Sequence, residues 1–185
     1  MPLQTSLAYR EPKRGVLSLA TGDRPAYLRY RKAKPMPRIT TNDLSQDSPL
    51  HAHMAPGDFL DCYTVAKDIP AREAAEIITA FPPWARMLVV LRNLLLRPFG
   101  LLTEGPGEGE KLGLFPITAE TPDEVIAGFD DRHLDFRVSV RSADGQVSLA
   151  TWVHPHNMGG RIYLAVIMPF HILIARNALK RVAAT

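Results

Sequence analysis

Two His-x-His pairs, His51/His53 and His154/His156, have the residue type and spacing for chemistry. On a strand, residues i and i+2 share a face, so each pair could offer two imidazoles to one metal ion. The first pair lies in a Pro- and Gly-rich stretch, and Pro155 interrupts the second. No cysteine or carboxylate stands beside either as a further ligand. Surface or turn-capping histidines are the plainer reading, and neither metal nor cofactor is expected. His171 follows Met-Pro-Phe in the most apolar stretch of the chain. It could serve as an acid/base group facing a cavity, since imidazole titrates near neutrality; its plainer reading is a buried, hydrogen-bonded histidine.

Asp135 and Arg137 share a strand face with His133 and could orient an anionic or carbonyl ligand. They could equally lie on a solvated outer face, which is favoured. Asp61 and Tyr63 on an earlier strand, and Trp152 and His154 on a later one, pose the same alternative. The candidate ligand-binding residues are therefore Asp61, Tyr63, Arg137, Trp152, His154 and His171, with no catalytic residue assigned. The lone cysteine, Cys62, lacks a neighbouring base and reads as packing. "EGPGEGEK" (104–111) ends without the Gly-Lys-Ser/Thr of a phosphate loop, and its glutamates would repel phosphate, so it reads as a solvated turn. Gly-x-Ser-x-Gly, His-Glu-x-x-His and dinucleotide motifs do not occur.

The elements that must position these residues are set by periodicity. Residues 39–57 read as a leading loop rich in turn formers. "DFLDCYTVA" (58–66) alternates as a strand, with Phe59, Asp61, Tyr63 and Val65 on one face. Pro70 opens a helix over 71–81, which ends before Pro82-Pro83. A second helix is expected over 84–102, amphipathic rather than membrane-spanning because Arg86, Arg92 and Arg97 interrupt it. "LFPITAET" and "DEVIAGFDD" are short strands of a meander. "HLDFRVSVRS" (133–142) alternates, with Leu134, Phe136, Val138 and Val140 on one face. The Asp-Gly of "ADGQ" supplies the positive φ of a tight hairpin turn, and 147–157 returns as the partner strand. Gly159-Gly160 then breaks the strand, and a helix runs from about Arg161 to Val182. Pro169 should kink that helix. Its longest unbroken apolar run is Ile162 to Phe170, too short for a transmembrane segment. Apolar residues on nearly all its sides predict broad coverage by the rest of the domain.

The chain of 185 residues is 46% hydrophobic, enough for one domain with a real core. Residues 1–38 hold nine basic and two acidic residues, net +7, leaving 13 basic and 17 acidic elsewhere, net −4. This extension reads as disordered, or as an over-extended start with Met36 the true one; 39–185 would then be a single domain. A basic arm could hold nucleic acid or anionic lipid electrostatically, but no specific nucleic-acid partner is expected. One cysteine and no secretory signal fit a cytoplasmic location, and a homodimer is compatible with the chain.

Strand, two helices, a meander and one long C-terminal helix is the element order of the helix-grip fold, an α+β class. Three stretches sharpen the likeness: "LRNLLLRPFGL" (91–101), "DRHLDFRVSV" (131–140) and "MPFHILIARNALKR" (168–181). From about His51 to its end, the chain resembles an uncharacterised bacterial family of unknown function. That family is associated with the START-like (helix-grip, polyketide cyclase/SRPBCC) superfamily. The resemblance implies a curved antiparallel sheet around the C-terminal helix, and a cavity for an apolar small molecule or lipid between them. Binding without catalysis is the first expectation. A cyclase-, hydratase- or aromatase-type enzyme would need a titratable pair converging in the cavity, such as His171 with a carboxylate. A membrane-peripheral protein would use its apolar helices with their basic ends.

Overall fold

The computed structural model describes residues 37–87, 90 and 109–185. The chain divides after Pro35, and every described element of the fold belongs to the unit Met36–Thr185. Most of the helix expected over 84–102 and the stretch 104–108 lie outside the described residues; residues 83–87 are helical.

Alternation and turn chemistry build a seven-stranded antiparallel sheet. The strands are β1 (Thr40–Thr41), β2 (Phe59–Ala66), β3 (Lys111–Leu112), β4 (Phe115–Glu120), β5 (Glu124–Asp130), β6 (Leu134–Ala143) and β7 (Gln146–Pro155). Their order across the sheet is β1-β2-β7-β6-β5-β4-β3, so the first long strand pairs with the last. The β6–β7 hairpin closes through Asp144 (φ 53°) and Gly145 (φ 70°), the two positive-φ residues its tight turn requires. Helices α1 (Ala71–Thr79) and α2 (Met158–Ala184) complete an α+β domain, with α2 packed on the sheet as in a helix-grip-like fold.

One sheet face meets the helices. Tyr63 and Val65 of β2, Val125 and Ala127 of β5, Val140 of β6, and Val147 and Leu149 of β7 form a core with both helices. From α1 come Ala71, Ala74, Ala75 and Ile78, the i, i+3, i+4, i+7 stripe of an amphipathic helix. From α2 come Ala175, Ala178, Leu179 and Val182. Arg181 ties the helix ends together: its guanidinium donates to the carbonyls of Ile77 and Ala80 at 2.7 Å and of Ile78 at 3.2 Å. A cation there also suits the negative end of the α1 dipole.

The opposite face is also covered. Residues expected as a plain loop contain β1, which pairs with β2 at the sheet edge, and a 3-10 helix, Pro49–His53, which lies against that face. Leu44 and Leu50 bury Cys62, Ile126, Ala150 and Trp152 in a second, smaller core.

Helix α2 departs from expectation in two ways. It starts at Met158, capped by the Asn157 side chain, which accepts the Gly160 N–H at 3.1 Å. Gly159-Gly160 thus opens the helix instead of separating it from the strand. Gly160 is required by close approach, since a Cβ there would stand 2.2 Å from the His133 carbonyl oxygen. The helix is 27 residues long, about 40 Å, and has Pro169 inside it. Finally, coverage is one-sided. Met158, Ile162, Val166, Phe170 and Leu173 are 43–68% exposed, and at spacings of four and three they form one outward stripe. By length and composition α2 could cross a membrane, with a mean hydropathy of 1.6 over an 18-residue window that is 17% buried.

Candidate functional site

On the helix face, β2 and α2 bring Asp61 and His171 together across 110 residues of chain. His171 Nε2 donates to Asp61 Oδ2 at 2.9 Å, with side-chain exposures of 22% and 12% respectively. Asp61 Oδ1 is buried and, among the described residues, accepts no hydrogen bond. Tyr63, two residues along the same strand face, is 7% exposed. Burial first, and then the charge and hydrogen bonding of the adjacent Asp61 carboxylate, raise its phenol above the ordinary value of 10, while Arg176 pulls the other way. The phenol stays protonated and can donate. A neutral donor, a carboxylate and an imidazole thus share one side of the sheet.

The Phe59 ring meets the His171 imidazole edge-on, with centroids 6.2 Å apart. Phe59 also lines an open cleft of about 520 Å³ between the start of β2, the end of β7 and the first half of α2. The other apolar walls are Pro155, Leu164, Ala165 and Met168; Asp58 and Arg161 are its charged members. That volume lies within the roughly 300–1,000 Å³ of small-molecule sites. Phe59 and the α2 residues were not among the sequence candidates. The i, i+4 spacing of Leu164 and Met168 was the available signal.

Asp61, Tyr63 and His171 do not themselves line this cleft, which reaches His171 only through the Phe59 ring, and the other three candidates lie on the opposite face of the sheet. Strand parity is the reason: odd residues of β2 and β7 face the helices, so Trp152 and His154 face away, as does Arg137 on β6. Arg137 is buried, at 7% exposure, and not solvated as expected. Its side chain donates to Phe136 O at 2.9 Å and pairs with Asp130 at 2.7 Å. It lies over Gly128, where a Cβ would stand 2.1 Å from the Phe136 oxygen. Trp152 Nε1 donates to Asp58 Oδ2 at 2.8 Å, and His154 Nδ1 to Asp58 Oδ1 at 2.5 Å. Burial alone would raise the Asp58 pKa. The bonds from His154, the Ala55 N–H and Trp152 outweigh it and hold the carboxyl below 3.8.

Neither His-x-His pair converges on a shared point. His51 Nε2 donates to Ser45 O at 2.9 Å, and the His53 ring sits 5.7 Å from that of Trp152. His154 and His156 each engage a different carboxylate, Asp58 and Asp135. Among the described residues, no group of three or more His, Cys, Asp or Glu is arranged to hold a metal ion. Burial, with Asp61 adding to it, raises the Cys62 thiol to about 11, so it is no nucleophile at neutral pH.

Residues 53–178 match the family described as Protein of unknown function (DUF2867). The chain belongs to that family. No curated protein and no solved structure matches it. The DUF2867 span runs from just before β2 to the last two turns of α2. It therefore takes in Asp61, Tyr63, His171 and every wall of the cleft, but not the 42–52 segment on the other face.

Proposed function

We propose that this DUF2867 chain is a START-like binding module that takes a small apolar or amphipathic molecule between the sheet and α2. The observation that carries the reading is the 520 Å³ apolar cleft at Phe59, Leu164 and Met168, whose Phe59 ring meets His171 of the Asp61–His171 pair. The strand order supports the START-like assignment, because the first long strand pairs with the last and the C-terminal helix packs on both. The apolar walls would supply affinity at about 25 cal/mol per Å² of ligand surface buried. Asp58 and Arg161, the charged members of the cleft, would fix a polar end, with the Asp61–His171 pair beyond Phe59. The same pair is what a cyclase- or hydratase-type reaction would require, with His171 and Asp61 moving a proton. Fluorescence titration with 8-anilinonaphthalene-1-sulfonate tests the binding reading. Saturable enhancement abolished by Met168→Arg is expected; enhancement that survives Met168→Arg and Leu164→Arg would rule the cleft out.

A second reading draws on a different observation, the outward stripe Met158, Ile162, Val166, Phe170 and Leu173, with Arg161, Arg176 and Lys180 also exposed on the helix. An apolar face with basic neighbours suits a helix lying in a membrane interface. Packing of Ala175–Val182 in the core and the His171–Asp61 bond hold α2 to the sheet, which favours lying on a bilayer over crossing it.

A further inference from the structure

We propose a second site on the opposite face of the sheet: a polar cavity at Glu124 that takes a small organic cation bearing an ammonium or guanidinium group. The cavity holds about 200 Å³ between residues 42–45 and strands β2, β5, β6 and β7. Hydroxyl, amide and charged side chains line most of it, and its charged members are Asp43, Glu124 and Asp144 against the single Arg141. That balance repels anions.

Glu124 is the decisive group. It is 2% exposed, the most deeply buried acid among the described residues. Its Oε1 accepts the hydroxyls of Ser48 and Ser139, both at 2.5 Å. Among the described residues, its Oε2 is buried and accepts no hydrogen bond; its one ion-pair partner there, Arg141 Nη1, is 3.8 Å away, too far to donate. A buried carboxylate oxygen left without a donor is costly, so the site is short of one positively charged donor. A metal ion suits it poorly, because hard cations take six or more oxygens and, among the described residues, no group of three or more His, Cys, Asp or Glu is arranged to hold one. An ammonium or guanidinium group supplies both the charge and the missing hydrogen bond. The whole sheet separates this cavity from the α2 cleft, so the inference stands independently of ligand binding there.

The test is an NMR titration of the full chain, following backbone amides, with 1,4-diaminobutane and separately with acetate. Both run to about 10 mM, ten times a millimolar Kd. Saturable shifts at Glu124, Ser139 and Ser148 with the diamine, absent with acetate, are expected. Glu124→Gln keeps an acceptor for the two serines and should abolish them. No saturable shift, equal shifts with acetate, or unchanged diamine binding by a folded Glu124→Gln would overturn the proposal. Should that variant fail to fold, Asp43→Asn decides: about threefold weaker binding is expected, the size of one screened charge pair, and unchanged affinity refutes it.

Discussion

His171→Leu removes the 2.9 Å hydrogen bond that ties Asp61 Oδ2 to α2, on a carboxylate that is 12% exposed and whose buried Oδ1 has no donor among the described residues. A hydrogen bond to a charged group contributes about 1.5–3 kcal/mol, and breaking a fully buried pair costs about 3–5 kcal/mol. With His171 itself 22% exposed, water can reach part of the pair, so the cost falls toward the lower range, about 2–3 kcal/mol. For a chain of this size that lowers Tm by roughly 4–12 °C. Asp61→Leu alone should cost less, because the imidazole left unpaired is 22% exposed and easier to solvate. The double variant Asp61→Leu/His171→Leu puts two apolar groups where the pair was. It should recover about 1.5 kcal/mol relative to the sum of the single changes. Urea unfolding of the four proteins, with a common m-value, gives the coupling energy. Strict additivity, with His171→Leu equally destabilising in both backgrounds, would refute the pairing on which the candidate site rests.

Gly160→Ala should destabilise by at least about 2 kcal/mol more than Gly159→Ala in urea unfolding, since only the former drives a Cβ into backbone, 2.2 Å from His133 O. Cys62 should react with a disulfide reagent at mildly alkaline pH only after unfolding, because its thiol is 4% exposed and pushed up to about 11. The Asp135 hydrogen bond raises His156 above its ordinary 6.5 in the folded chain. Its stabilisation is therefore full below 6.5 and lost as pH rises through the folded value, so the thermal stability gap between wild type and His156→Ala should close in that direction. If α2 lies on a bilayer, Val166→Glu/Phe170→Glu should lose co-sedimentation with anionic vesicles while keeping the wild-type Tm, as both residues face outward.

Where one local rule dominated, the sequence was readable. Asp144-Gly145 placed the hairpin, the alternation of 134–140 assigned faces to β6, and Pro70 placed the start of α1. The candidate site was half readable. His171 with a carboxylate was anticipated, and Asp61 and Tyr63 do share its side of the sheet. The faces of β2 and β7 were not decidable, because the 42–58 segment gives the sheet a second apolar side. Cys62, Ala150 and Trp152 are as buried there as Tyr63 and Leu149 are under the helices. Trp152 and His154 consequently looked like cavity residues, although their partner, Asp58, anchors that covering segment. The apolar residues around α2 concealed a different fact. Its inner face is used, but its outer stripe is left bare, and composition alone does not separate the two.

Native mass spectrometry of the freshly purified full chain is the decisive experiment for ligand binding under α2. A bound small molecule, of a size that a 520 Å³ cleft can hold, should be present on wild type and lost from Met168→Arg. A bare wild-type chain that also fails to take up added apolar ligands, or an adduct retained unchanged by Met168→Arg, would show that the cleft is not a binding site.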